Sequence, residues 1–104
     1  MKIELSKGIN YKDTELKELE LDLEGLTGNE LIGAEEDLRR QGINISAWEY
    51  SRPYLIQLAS RAVHIPSEVL RGMSARDFVK VCSAVLGFLL GMDSEDIARI
   101  NTGN

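Results

Sequence analysis

The sequence is poor in the residue types that build catalytic and metal centres. Its 104 residues include one cysteine and one histidine. One cysteine cannot form an internal disulfide, and a zinc site needs several cysteine, histidine or carboxylate ligands at matched spacings. The glycines form neither a phosphate-binding loop nor a nucleophile elbow. We therefore predict no catalytic residue, no metal site and no cofactor, and a protein that is not an enzyme.

Long apolar runs are also missing. No segment reaches the roughly 18 consecutive apolar residues that a membrane-spanning helix needs, and residues 1–6 include no apolar signal region. We therefore expect a cytoplasmic protein with no membrane partner. Cys82 lies in a short apolar stretch, and we expect no nearby cation or helix N-terminus that would lower its pKa, so a buried and unreactive thiol is predicted.

Negative charge dominates, but its distribution is uneven. The formal net charge is −5; residues 1–38 hold eleven acids and four lysines, whereas residues 39–92 hold seven bases and three acids. Because nucleic-acid binding needs a basic surface, we expect no nucleic-acid partner. The asymmetry indicates either a solvated acidic surface in the N-terminal part or a contact surface matched by an oppositely charged partner.

The hydrophobic period changes once, near residues 24–27. Before this point apolar residues alternate with charged ones around a turn-forming segment at residues 10–14, which predicts a β-hairpin over residues 2–23. After it the period is helical over residues 27–91. We therefore predict a single, mainly helical α+β domain, in which an N-terminal β-hairpin packs on a small bundle of three to four helices. Residues 92–104 are polar and are expected to fray.

The expected hairpin needs two registers. Near its open end Ile3 should lie opposite Leu23, whereas near the turn Ile9 should lie opposite Leu16. A β-bulge at Gly8 would reconcile the two.

The first helix is signalled by a capping box, Thr27-Gly28-Asn29-Glu30, and by Gly42 at its end. The acids Glu35, Glu36 and Asp37 are expected to face water. The buried stripe is predicted to be thin and to consist of Leu31, Ala34 and Leu38.

Three further helices are predicted, at residues 53–64, 66–71 and 75–90. The helix over residues 75–90 is apolar around most of its circumference, so we expect it to be the central and most buried helix. A homo-oligomer that associates through this helix is the alternative. Its second apolar stripe consists of Val79, Leu86 and Leu90.

Aromatic residues concentrate in one segment, which also contains an arginine. Because aromatic residues and arginine are enriched at protein interfaces, we predict a partner-binding site there. Packing in the core is the alternative for the same residues. The candidates are Trp48, Tyr50, Arg52 and Tyr54.

The order and spacing of these features resemble those of the small tail assembly chaperones of tailed bacteriophages and prophages. The resemblance spans about residues 3–91 and rests on a series of short segments: Tyr-Lys-Asp-Thr-Glu-Leu at 11–16, Leu-Asp-Leu at 21–23, Leu-Thr-Gly-Asn-Glu-Leu-Ile at 26–32, Ala-Glu at 34–35, the helix segment at 54–62, and Asp-Phe at 77–78 entering an apolar helix that ends Phe-Leu-Leu at 88–90.

This resemblance implies a function and a partner. It implies a protein of the bacterial cytoplasm that binds the tape-measure protein while the tail tube polymerises, and that is absent from the finished virion. A structural connector that stays in the particle is the first alternative. A small DNA-binding regulator, with residues 67–90 as a helix-turn-helix, is the second. The family carries no residue-level binding motif to transfer to this sequence.

Replacing Trp48 by alanine tests the predicted aromatic site. If Trp48 is an interface anchor, the variant should melt nearly as the parent does but lose about 2 kcal/mol or more of partner affinity. If Trp48 belongs to the core, the free energy of unfolding should fall by about 3–5 kcal/mol. Denaturant melts and a partner-binding titration measure the two quantities. A variant that is both stable and fully competent in binding would contradict the site assignment.

Overall fold

The computed structural model describes residues 1–44 and 51–91, which form a β-hairpin and four helices. The elements are β1 (Lys2–Tyr11), β2 (Thr14–Glu20), α1 (Gly28–Arg40), α2 (Arg52–Val63), α3 (Ser67–Leu70) and α4 (Ala75–Leu89). The predicted α+β architecture of a hairpin on helices is confirmed. The predicted frayed tail lies outside the described residues. Of the helices described, none has the length and apolar character needed to cross a membrane.

The hairpin turn is tight, and its register near the turn is the one predicted. Lys12 and Asp13 both adopt positive φ, 53° and 62°, which is the backbone geometry of a two-residue type I′ turn. Asp tolerates this left-handed conformation better than most residues, because its short polar side chain can bond locally. Beyond the turn Ile9 pairs with Leu16, as expected.

The register at the open end of the hairpin differs from the prediction. Ile3 pairs with Leu19, not with Leu23, because the register shifts by three residues between Glu4 and Ile9. The irregularity predicted at Gly8 is therefore present but is longer than a one-residue bulge. Its effect is to leave a stretch of β1 backbone without partners on β2.

A buried aspartate on α4 binds the irregular stretch of β1. Asp77 is fully buried; its Oδ1 accepts a hydrogen bond from the Ser6 backbone N–H at 2.6 Å and its Oδ2 accepts one from the Lys7 N–H at 3.0 Å. One turn later, Lys80 Nζ donates to the Glu4 carbonyl at 2.8 Å. Side chains of α4 thus satisfy three backbone groups of β1, in and beside its irregular stretch. We call this set of contacts the Asp77 clamp.

Two opposing effects set the pKa of Asp77. Burial raises it, and the hydrogen bonds from the Ser6 and Lys7 backbone N–H groups lower it by more, so the pKa lies below its ordinary value of 3.8. Ser74 caps the helix by accepting from the Asp77 N–H at 3.3 Å, which confirms the predicted start of α4. The carboxylate also lies at the positive end of the α4 dipole. It is therefore ionised at neutral pH.

The capping box predicted for α1 does not form. Thr27 occupies the N-cap position, but its side chain makes no capping hydrogen bond. The Glu30 carboxylate instead accepts from Arg61 Nη1 of α2 at 2.8 Å. An ion pair between α1 and α2 thus takes the place of the local hydrogen bonds of the capping box. At the other end α1 stops as predicted, with Gly42 at a φ of +79°.

Asp37 also binds α2, which corrects the expectation that it faces water. Its Oδ2 accepts from Arg61 Nη2 at 2.9 Å, from Arg61 Nε at 3.1 Å and from Gln57 Nε2 at 3.1 Å. Gly33 makes room for the arginine, because a Cβ at this position would lie 2.7 Å from Arg61 Nη2. The predicted stripe of α1 packs beside this network, with Ala34 and Leu38 fully buried.

Among the four helices described, the most buried is α2, not the predicted helix over residues 75–90. Seven of its twelve residues are buried, and it packs against α1, α3 and α4. In α4 six of fifteen residues are buried, and Val79 remains 46% exposed. Small residues on α2, Ala59 and Ala62, let the neighbouring helices approach closely. The apolar residues around α4 therefore pack against two different elements, α2 and β1, and also form one open face.

Replacing Asp77 by asparagine should destabilise the fold in a pH-dependent way. An asparagine can accept from only one of the two N–H groups, so we expect the free energy of unfolding to fall by about 1–3 kcal/mol at pH 7. Because the folded pKa is lowered, the advantage of the carboxylate is present above about pH 4 and is lost as the pH falls through the folded pKa.

Urea melts of both proteins at pH 7 and at pH 3 measure this difference. The exposed Glu24→Gln is the matched control, and it should change stability by less than about 0.5 kcal/mol at pH 7. If Asp77→Asn lowers the free energy of unfolding equally at the two pH values, the carboxylate charge does not hold the hairpin.

Candidate protein-binding groove

An open groove lies between the beginning of α2 and the outer side of α4. Its volume is about 200 Å³. We call it the α2–α4 groove, and its lining residues are Arg52, Leu55, Val79, Cys82, Ser83 and Leu86. The α2 side is fixed by a local cap, because Ser51 Oγ accepts from the Tyr54 N–H at 3.3 Å and Pro53 sits in the first helical turn.

The floor of the groove is buried and its rim is apolar but accessible. Leu55 and Cys82 are almost completely buried, whereas Leu86 is half-buried and Val79 is 46% exposed. A large exposed aliphatic side chain next to a partly covered one forms a surface on which another apolar side chain can pack. The α2–α4 groove therefore offers apolar contact on α4 and one charged group, Arg52, on α2.

Arg52 is the charged residue of the groove. It is exposed, and within residues 1–44 and 51–91 it forms no ion pair. A guanidinium beside an apolar surface can bind a carboxylate at the edge of a partner's apolar stripe.

The Cys82 thiol on the floor of the groove is protonated. Burial raises the pKa of Cys82 to about 11, and the positive charge of Arg52 offsets a smaller part of that rise. The predicted burial of Cys82 is confirmed. The expectation that no cation lies near it is wrong, because α2 brings Arg52 close from 30 positions away in the sequence.

The four predicted partner-binding residues fall into three groups. Trp48 and Tyr50 lie outside the described residues. Arg52 lines the α2–α4 groove. Tyr54 is only 6% exposed, and its hydroxyl donates to the Leu31 carbonyl at 3.1 Å, so its side chain packs between α2 and α1.

The sequence predicts Val79 and Leu86 on a stripe of a buried helix, with self-association through this helix as the alternative. In the structure these two residues line the open side of α4. The signal that separates them from core residues is their neighbour Ser83, a small polar residue on the same side of the helix.

Other polar residues of the described segments serve the fold. His64 adopts a φ of 60° as the C-cap residue of α2, which confirms its predicted place at the helix end. The pKa of Arg61 is raised, first by its hydrogen bond to Glu30 and then by Asp37, against the effect of burial. Across residues 1–44 and 51–91, no three histidine, cysteine or acidic side chains are grouped so that they could hold a metal ion.

The fold and the groove define a small α+β protein whose candidate site is a surface for binding. Comparison with known proteins adds no relative: no family model, curated protein or solved structure matches this chain significantly.

The reactivity of Cys82 provides a test of the groove. With a pKa of about 11, roughly one thiol in a thousand is ionised at pH 8. Alkylation by iodoacetamide should therefore be about two orders of magnitude slower than that of free cysteine, whose pKa is about 8.5. Arg52→Ala should slow the alkylation further, because the variant lacks the positive charge that lowers the thiol pKa. The measurement is the alkylation rate against pH, and a plateau already near pH 9 would contradict this account.

Proposed function

We propose that this protein is a tail assembly chaperone of a tailed bacteriophage or prophage, and that it binds helical segments of the tape-measure protein without catalysing a reaction. It would act in the cytoplasm of the bacterial host. The resemblance across residues 3–91 supplies the class of partner. The α2–α4 groove supplies a surface of suitable chemistry.

The observation that carries this proposal is the exposed apolar rim of the groove. Val79 and Leu86 lie two turns apart along α4, a spacing that matches apolar residues at i and i+7 on a partner helix. Arg52 lies on the opposite wall, where it would pair with an acidic residue of that helix. A long helical protein that waits for its tube to assemble exposes such apolar stripes, and covering them prevents aggregation.

A pair of matched variants tests whether the groove binds. Val79→Asp places a carboxylate on the apolar rim, whereas Ile32→Asp makes the same change on α1, at an aliphatic residue that is 57% exposed against 46% for Val79. Neither side chain is buried, so both variants should keep the parent's stability to within about 0.5–1 kcal/mol. Only Val79→Asp should lose the partner, with affinity reduced about tenfold or more, because the carboxylate would lose its hydration against the apolar stripe of the partner.

The measurement is a pull-down after co-expression with the neighbouring reading frames, followed by titration of the captured protein. Capture of a long helical protein by the parent and by Ile32→Asp, but not by Val79→Asp, is the expected result. Equal capture by all three proteins would show that the groove is not part of the binding surface.

The alternatives give different outcomes. A structural connector would be found in purified virions by mass spectrometry, whereas a chaperone would be absent from them. If Val79→Asp instead converts a homo-oligomer into a monomer in sedimentation, the open side of α4 is a self-association surface. Salt-dependent binding to duplex DNA would support the regulator.

A further inference from the structure

The described part of the molecule covers one edge of the hairpin and leaves the other edge open. The β1 edge is closed: the Ser6 and Lys7 N–H groups bind Asp77, and the Glu4 carbonyl binds Lys80. In addition, β1 packs against α3 and α4. Covering an edge in this way prevents another strand from pairing with it.

The β2 edge is open in the part of the chain that the structure describes. Five of its seven residues are exposed, and outside the hairpin no described residue forms a backbone hydrogen bond with residues 14–20. The Leu21 N–H donates to the Met1 carbonyl at 2.8 Å, so Met1 and Leu21 form a hydrogen-bonded pair. Because bonded and non-bonded pairs alternate along an antiparallel ladder, Glu18 and Glu20 direct their backbone N–H and C=O groups towards the open edge.

The charge of this edge selects its partner. β2 carries three glutamates, Glu15, Glu18 and Glu20, against one lysine. Glu18 lies directly opposite Glu4 on β1. Lys2 Nζ lies 3.2 Å from Glu18 and the Met1 ammonium group lies 2.9 Å from Glu20. Exposed pairs of this kind contribute little, and Glu15 forms no ion pair within the described residues. A second copy of this chain, pairing β2 with β2, would bring more glutamates together. A segment with lysine or arginine at alternate positions would neutralise them.

A groove next to the edge completes the surface. It has a volume of about 500 Å³ and is lined by Glu4, Leu5, Glu15, Leu16, Lys17 and Glu18. Two half-buried leucines thus lie among acidic side chains, so the groove can take an apolar side chain that is flanked by basic ones.

We propose that the open edge of β2 binds an extended, lysine- or arginine-rich segment of another protein as a third strand. Backbone hydrogen bonds to Glu18 and Glu20 would supply the pairing, and the glutamates would select the charge. This surface is separate from the α2–α4 groove. Asp77 faces the hairpin, whereas Val79 and Leu86 lie roughly 180–200° around the α4 axis from it.

The test uses the full chain and two synthetic nine-residue peptides with capped ends, one alternating lysine with valine and the other alternating glutamate with valine. We expect the lysine peptide to bind and, at saturation, to slow amide hydrogen exchange at Glu18 and Glu20 about tenfold or more, as new strand hydrogen bonds do. The glutamate peptide should not bind. No binding of the lysine peptide, or binding without protection of these two amides, would overturn the proposal.

A charge-reversed variant and its control separate this edge from general attraction to an acidic protein. Glu15→Lys should reduce the affinity for the lysine peptide about threefold or more, because an attractive cross-strand pair becomes repulsive. Glu24→Lys makes the same change at an exposed residue after the hairpin and should leave the affinity unchanged. An equal loss in both variants would show non-specific electrostatics and would also overturn the proposal.

Discussion

The arrangement of this protein depends on one buried carboxylate. A two-stranded hairpin is marginal in water and needs a surface to pack on. Here the surface is α4, and Asp77 fixes the hairpin to it through two backbone N–H groups of β1. The same residue belongs to the first turn of α4, where Ser74 caps it. One side chain thus joins the start of a helix to the irregular part of a strand. The bulge lets two successive N–H groups, those of Ser6 and Lys7, reach one carboxylate, whereas a regular edge strand turns only every second N–H towards its free edge.

The clamp also determines which surfaces remain free. By binding β1 it closes one edge of the hairpin and leaves the edge of β2 accessible. By holding one side of α4 against β1, it directs Val79 and Leu86 to the opposite side, where they line the α2–α4 groove. The ion-pair network of Glu30, Asp37 and Arg61 has a related effect between α1 and α2. It fixes the side of α2 that carries Gln57 and Arg61 against α1.

The candidate surfaces are complementary in charge. The α2–α4 groove presents apolar side chains beside an arginine, and the hairpin presents leucines among glutamates. The arginine of the groove and the glutamates of the hairpin thus lie on two different surfaces of the described fold. The two proposed contacts would suit partners of opposite charge, in keeping with the proposed role of holding another chain during assembly.

Much of the fold could be predicted from the sequence because its signals are local. Alternation placed the hairpin, glycine and proline placed the helix ends, and Ser74 marked the start of α4. These features depend on residues within a few positions of one another, so period and capping chemistry are sufficient to find them.

The errors all concern contacts between distant residues. Glu30 forms an ion pair with Arg61 and not the predicted capping box, and Asp37 binds the same arginine and does not face water. In the same way, α4 looked central because its composition is apolar, yet composition cannot tell a side that contacts a neighbouring helix from one that lines a groove. The sequence by itself determined the elements and their order, because local backbone preferences and periodicity specify them. Only the tertiary structure decided which polar residues pair, which helix is central and which apolar side stays open, since these depend on free energies shared between segments far apart in the chain.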